Sequence, residues 1–267
     1  MRPGTGGGEL APGGAAVPSH GGRRTAIVRI VLALSGLAAG CATAPAFPPA
    51  APVAGKRPLP TERGFQAADL AKSDIDIVAE VHVRESLASA RLVTEKLYRR
   101  NPREWRKGNF ATMDAALARL FDSRSGFRFA ELGGAEGSDA VVLGLSPEYG
   151  GDRVFAFGAG LGGMVYRSYN GKTEFYLTDS LDPQKLYNSA RNVEIAAWKL
   201  ANARDARGDP LLASNELAGD VRNLSFEREI GKMIAYQDAM AQIAAQRTNR
   251  TIRRAAQTLA TAVFLPI

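Results

Sequence analysis

Between Ser73 and Arg100 the apolar residues Ile75, Val78, Val81, Val83, Leu87, Leu92, Val93 and Leu97 cover most of a helical circumference, while Glu80, Arg84, Arg91 and Glu95 fall on one narrow stripe. The spacing predicts a helix over 73–100 buried on most sides. Ser73 can cap it, Asp74 and Asp76 sit in the first turn where the helix dipole favours negative charge, and Asn101-Pro102 ends it. A second helix is predicted from Thr112 to Phe121, with Leu117, Leu120 and Phe121 as its core face.

Residues 122–152 are punctuated by seven glycines, and only Ala140 to Leu145 is continuously apolar, so this stretch reads as loops around one short buried element. Val154 to Tyr166 is small and apolar throughout. Asn170-Gly171 marks a turn, and Thr173 to Leu177 reads as a short strand. Asp182-Pro183 opens the clearest helix, with aspartate as cap and proline at the first helical position. Leu186, Ala190, Val193, Ala197 and Leu200 then follow at alternating spacings of four and three. Beyond Gly208-Asp209-Pro210, a last helical tract is expected from Ser225 towards Phe264, with basic residues at Arg247, Arg250, Arg253 and Arg254. Helical patterns dominate, so the expected fold is mainly α: one helical bundle over 61–267 with glycine-rich irregular connections and at most one short β element.

The first sixty residues follow a different rule. Prolines recur among alanines from Ala42 to Pro60, a composition that stiffens the chain towards polyproline II and reads as a tether. Ahead of it, Arg23, Arg24 and Arg29 precede an apolar run from Ile30 to Leu37, then Ala38-Ala39-Gly40 and Cys41, the one cysteine of the chain. The run is far shorter than the roughly 20 residues that span a bilayer as a helix, and of a length that suits a signal-peptide core. Over residues 1–41 the pattern resembles the signal of bacterial lipoprotein precursors: a positive stretch, a short apolar segment, small residues at the scissile bond and a cysteine as acyl acceptor.

That resemblance implies that residues 1–40 are a cleaved signal peptide and that the Cys41 sulfur carries a diacylglycerol, usually with a third chain such as palmitate on the new amine. It also implies a membrane anchor at the outer membrane, on its periplasmic face, since Ala42 follows the cysteine where an inner-membrane retention signal has aspartate.

Charge then narrows the partners. The full chain carries a net +7, and removing the four arginines and one glutamate of residues 1–40 leaves 30 basic residues against 26 acidic ones, too even to argue for nucleic acid. With Cys41 acylated no thiol remains, and His82 is the only histidine after cleavage. Disulfides and a His-rich zinc site drop out, and neither metal nor cofactor is expected.

Three places could carry chemistry. Gly158-Ala159-Gly160-Leu161-Gly162-Gly163 satisfies G-x-G-x-x-G behind a candidate strand, Arg153 to Phe157, but leaves only Met164 to Tyr169 for the helix that should face a phosphate, so close packing is the better reading. His82 and Glu85, three apart in the apolar arc of the first helix, could form a proton acceptor with an orienting carboxylate, or a polar contact that sets helix register. Lys96, Arg99, Arg100, Arg103, Arg106 and Lys107, interleaved with Tyr98 and Trp105, could meet anionic lipid, lipopolysaccharide or an acidic envelope protein, or be a solvated helix end. G-x-S-x-G, H-E-x-x-H and P-loop patterns do not occur. The sequence therefore points to a lipid-anchored envelope binding or structural module rather than an enzyme, the alternative being an envelope-directed hydrolase or transferase using carboxylates and His82.

Overall fold

The helix predicted over 73–100 forms as α1 (Asp74–Arg100) in the computed structural model, which describes residues 71–216, 223–249, 251–252 and 262–267. Cys41, the tether and Arg250, Arg253 and Arg254 lie outside the described residues. The backbone N–H and the hydroxyl of Ser73 donate to Oδ2 of Asp76 at 2.8 and 2.6 Å, which closes the first turn. One position departs from the expected stripe. Glu80 is buried: its Oε1 pairs with Lys72 at 2.5 Å and accepts the Phe175 N–H at 3.0 Å, whereas Ile77 is half exposed. The loop at 175 covers this side of α1, and helical periodicity carries no information about which loop covers a helix.

After Asn101 a single turn, α2 (Glu104–Lys107), precedes α3 (Met113–Leu120), where the Thr112 hydroxyl accepts the Ala115 N–H at 3.1 Å. The glycine-rich stretch holds two short 3₁₀ turns, Ser123–Ser125 and Ala130–Leu132, and the expected buried element appears as α4 (Ser138–Gly144).

The small, apolar segment around the Gly158 to Gly163 run forms one helix, α5 (Arg153–Ser168), in which every residue but Tyr166 and Arg167 is buried. This corrects the candidate strand over Arg153 to Phe157. Asp152 caps the helix by accepting the Phe155 N–H at 2.9 Å. Glycine is poor in helices, by roughly 1 kcal/mol each against alanine, so tertiary packing must supply the difference. A Cβ on Gly158 would lie 2.6 Å from the Thr94 hydroxyl of α1, one on Gly160 would lie 2.6 Å from the Gly137 carbonyl oxygen ahead of α4, and one on Gly162 would overlap the Phe127 ring. The missing side chains are the spaces that three neighbours occupy.

Asp182 caps α6 (Pro183–Asn202) by accepting the Gln184 N–H at 2.9 Å, as the Asp-Pro pair predicts. α7 (Ser225–Thr248) ends sooner than its pattern suggests, because Asn249 turns left-handed at φ 53°. Phe264, expected near the end of that tract, lies in an irregular segment, 262–267, hydrogen-bonded to α6. The strand expected over Thr173 to Leu177 is an irregular loop. Among the described residues the only β features are two isolated bridges, Arg204 with Pro210 and Glu216 with Asn223.

The protein is thus mainly helical. α7 packs on both α1 and α6, and α5 lies against α1, α4 and α6, with α2 and α3 completing its cover. One cluster runs through Val83, Val93, Leu97, Phe157, Leu161, Val193, Met233 and Met240, and a second, around Phe127, Phe129, Leu132 and Phe155, sits beneath the glycine-rich loops.

Candidate functional site

Each glycine of the Gly158 to Gly163 run lies in mid-helix, filled from outside by side chains and backbone. The N–H groups of a helical interior are used within the helix, so no anion-binding turn forms there. The first free N–H groups of α5 belong to Arg153 and its successors, and carboxylates already occupy them: Glu104 Oε2 accepts from Arg153 N–H at 2.9 Å.

His82 is half buried, with its ring tilted against Tyr236 of α7 at a centroid distance of 5.4 Å. Its Nδ1 is buried without a hydrogen-bond partner among the described residues, and burial holds its pKa below the usual histidine value. Glu85 lies beside Arg84 at 3.6 Å. The carboxylate therefore does not orient the imidazole through Nδ1, as a general base would need.

The basic segment at the end of α1 is largely tied to the protein itself. Lys96 donates to the Ser225 carbonyl oxygen at 3.1 Å, and burial lowers its pKa. Arg99 pairs with Glu95 at 2.7 Å, Arg100 with Glu216 at 3.3 Å and Lys107 with Glu104 at 2.6 Å. Trp105 packs against the core with the Arg106 guanidinium 4.8 Å from its ring centroid. Arg103 and Arg106 are exposed and, among the described residues, pair with no carboxylate. Six cations close in sequence thus leave two such charges.

A polar cluster that periodicity does not reveal joins four helices beside this segment. Tyr98 of α1 donates to Asp152 Oδ2 at 2.8 Å while Asp152 Oδ1 caps α5. Glu104 of α2 holds Lys107 and the Arg153 N–H, and the Arg153 guanidinium reaches the Gly144 and Pro147 carbonyl oxygens at 3.1 Å each, satisfying the end of α4. Asp152 and Arg153 are both under a tenth exposed. Burial is the largest influence on the Asp152 carboxyl and, with Glu104 nearby, pushes its pKa up to about 6; burial and the Asp152 charge push Tyr98 well above the usual phenol range. An acid titrating there could move a proton near neutral pH. Both its oxygens are already engaged, however, so the geometry serves helix docking. The single sequence signal for this cluster is an aspartate ahead of a helix, because Tyr98 and Glu104 are brought to it only by chain folding.

Among the described residues no group of three or more histidine, cysteine, aspartate or glutamate side chains is placed to hold a metal ion. In comparisons with known proteins, no family model, no curated protein and no solved structure matches this chain.

Proposed function

We propose that this chain is a lipid-anchored envelope protein, held at the periplasmic face of the outer membrane by acyl chains on Cys41, whose helical domain works as a binding or structural module. The observation that carries this reading is Cys41 itself, a single cysteine directly behind the Ile30 to Leu37 run and Ala38-Ala39-Gly40. Two or more acyl chains anchor stably, because each buried methylene contributes about 0.8 kcal/mol. Among the described residues no helix is long and apolar enough to cross a membrane, so this reading assigns attachment to the acyl chains.

The use of buried acids supports a module rather than a catalyst. Asp76 closes the first turn of α1 and meets Arg247 at 3.3 Å, Glu80 holds Lys72 and a loop N–H, and Asp152 and Glu104 cap α5. Each is occupied in joining elements. The test is incorporation of labelled palmitate: the wild-type chain takes up label and is processed, while Cys41→Ala takes up none and accumulates as precursor. Normal labelling and processing of the variant would overturn the anchor and the location together.

A further inference from the structure

A cleft of about 610 Å³ opens between the turn after α3 and the C-terminal end of α5, a size within the range of small-molecule sites. Its lining is basic. Arg124 and Arg128 come from the turn, Arg167 from the last turn of α5 and Lys185 from the first turn of α6. Tyr166 lies between two glycines, Gly126 at φ 57° and Gly171 at φ 69°, whose left-handed backbones turn the chain on either side of its ring.

The internal carboxylates do not balance this charge. Arg124 pairs with Asp122 at 2.9 Å, and Glu136 serves two guanidiniums, Arg128 at 3.3 Å and Arg167. Lys185 has no carboxylate partner among the described residues. Four cationic side chains therefore meet two acidic ones, with Ile267, the last residue, also in the lining. Burial and the Arg128 charge both disfavour the Arg167 cation, a cost that an added anion relieves. Arg128 meets Glu136 through Nε and Arg167 through one terminal nitrogen, which leaves forked N–H donors on each for a further acceptor.

We propose that this cleft binds a phosphate-bearing anion of two or more charges. Guanidinium forks match phosphate oxygens in pairs, and a lining with four cationic side chains suits a multivalent anion. The same chemistry is offered by a soluble polyphosphate and by a phosphomonoester lipid headgroup. This assignment does not depend on the acyl anchor.

The test uses the full chain carrying Cys41→Ala, so that an acyl chain cannot bring it to a membrane. Calorimetric titration with tripolyphosphate, and flotation with phosphatidylcholine vesicles containing or lacking phosphatidic acid, are run at low and high salt. Saturable, salt-sensitive binding is expected. Arg128→Gln with Lys185→Gln should weaken it by at least about tenfold, the worth of one charge-assisted hydrogen bond, without moving the thermal midpoint. Lys185→Gln alone, which breaks no internal pair, should weaken it in the same direction. The matched pair Arg99→Gln and Arg103→Gln removes equal charge elsewhere and should leave affinity unchanged. Binding to tripolyphosphate alone identifies a soluble ligand, binding to phosphatidic acid vesicles alone identifies a headgroup, and both support the site. No binding to either probe at low salt overturns the proposal, as does an equal loss in the Arg99 and Arg103 pair.

Discussion

The side-chain amide of Asn192 on α6 exchanges two hydrogen bonds with the peptide unit of Leu265: Nδ2 donates to the carbonyl oxygen at 2.8 Å, and the Leu265 N–H donates to Oδ1 at 2.6 Å. One turn earlier, Asn188 donates to the Pro266 carbonyl oxygen at 2.7 Å. Asn101, at the end of α1, treats Ala213 in the same way, donating at 2.9 Å and accepting at 2.8 Å. In both places an asparagine amide at a helix satisfies the backbone N–H and carbonyl of an irregular segment.

Removing the donor from either pair leaves a carbonyl oxygen unmet and sets a carboxylate against it. Asn192→Asp and Asn101→Asp are each expected to lower the unfolding free energy by about 1–3 kcal/mol in denaturant titrations. An unchanged midpoint for Asn192→Asp would show that the segment from 262 onward does not dock on α6 in solution.

The glycines of α5 are expected to differ sharply from an ordinary helical glycine. A methyl group on Gly160 would meet the Gly137 carbonyl oxygen at 2.6 Å and the Val141 nitrogen at 2.8 Å, backbone atoms that cannot rotate away, whereas Gly231 on α7 has open space. Gly160→Ala should destabilise by about 1–3 kcal/mol or more through overpacking. Gly231→Ala should stabilise by up to about 1 kcal/mol. Equal effects would refute the close approach of α4 to α5.

Glu80 supplies a third contrast on a single helix. Its partners Lys72 and the Phe175 N–H are both taken from water with it, and the Lys72 and Glu80 side chains are each 7% exposed. Glu80→Ala should cost about 3–5 kcal/mol by leaving a buried cation unpaired. Ile77→Ala, at a position 49% exposed, should cost less than about 0.5 kcal/mol. The reverse order in thermal or chemical unfolding would restore Glu80 to the solvated stripe.

Asp152 gives the fold a defined pH response. Its pKa rises from 3.8 to about 6 on folding, so the folded chain binds that proton more tightly than the unfolded one. The resulting stabilisation is fully present below pH 3.8 and is lost as pH rises through about 6; it amounts to at most about 3 kcal/mol. His82 opposes it: its pKa is lowered from 6.5, so its contribution is present above pH 6.5 and is lost as pH falls through the folded value. Asp152→Asn can still accept from Phe155 through its amide oxygen, with its Nδ2 donating to the Tyr98 hydroxyl, and cannot ionise. Wild type should therefore gain stability relative to this variant as pH falls from 7 to 4, and a pH-independent difference would contradict the buried-acid assignment.

Much of the helical scaffold is legible in the residue order. Ser73 with Asp76, Thr112 and the Asp182-Pro183 pair mark helix starts through contacts made within one turn, which local sequence can encode. Other features depend on partners distant in the chain. The run from Arg153 to Ser168 contains glycines that disfavour a helix locally, and it forms one because Thr94, Gly137 and Phe127 fill the spaces where side chains would stand. For the same reason the segment expected as a strand at Thr173 is a loop over Glu80, Arg99, Arg100 and Lys107 find internal acids, and His82 packs on Tyr236.

Residue order by itself determined the periodic helices, their caps and the cysteine pattern of the first forty-one residues, because each is written in neighbours a few positions apart. The tertiary structure alone decided which polar groups lie dry, as at Asp152 and Glu104, and which cations gather unbalanced, as at Arg128, Arg167 and Lys185. Burial and charge excess are sums over groups far apart in the chain, and only the packed helices bring those groups within a few ångströms of one another.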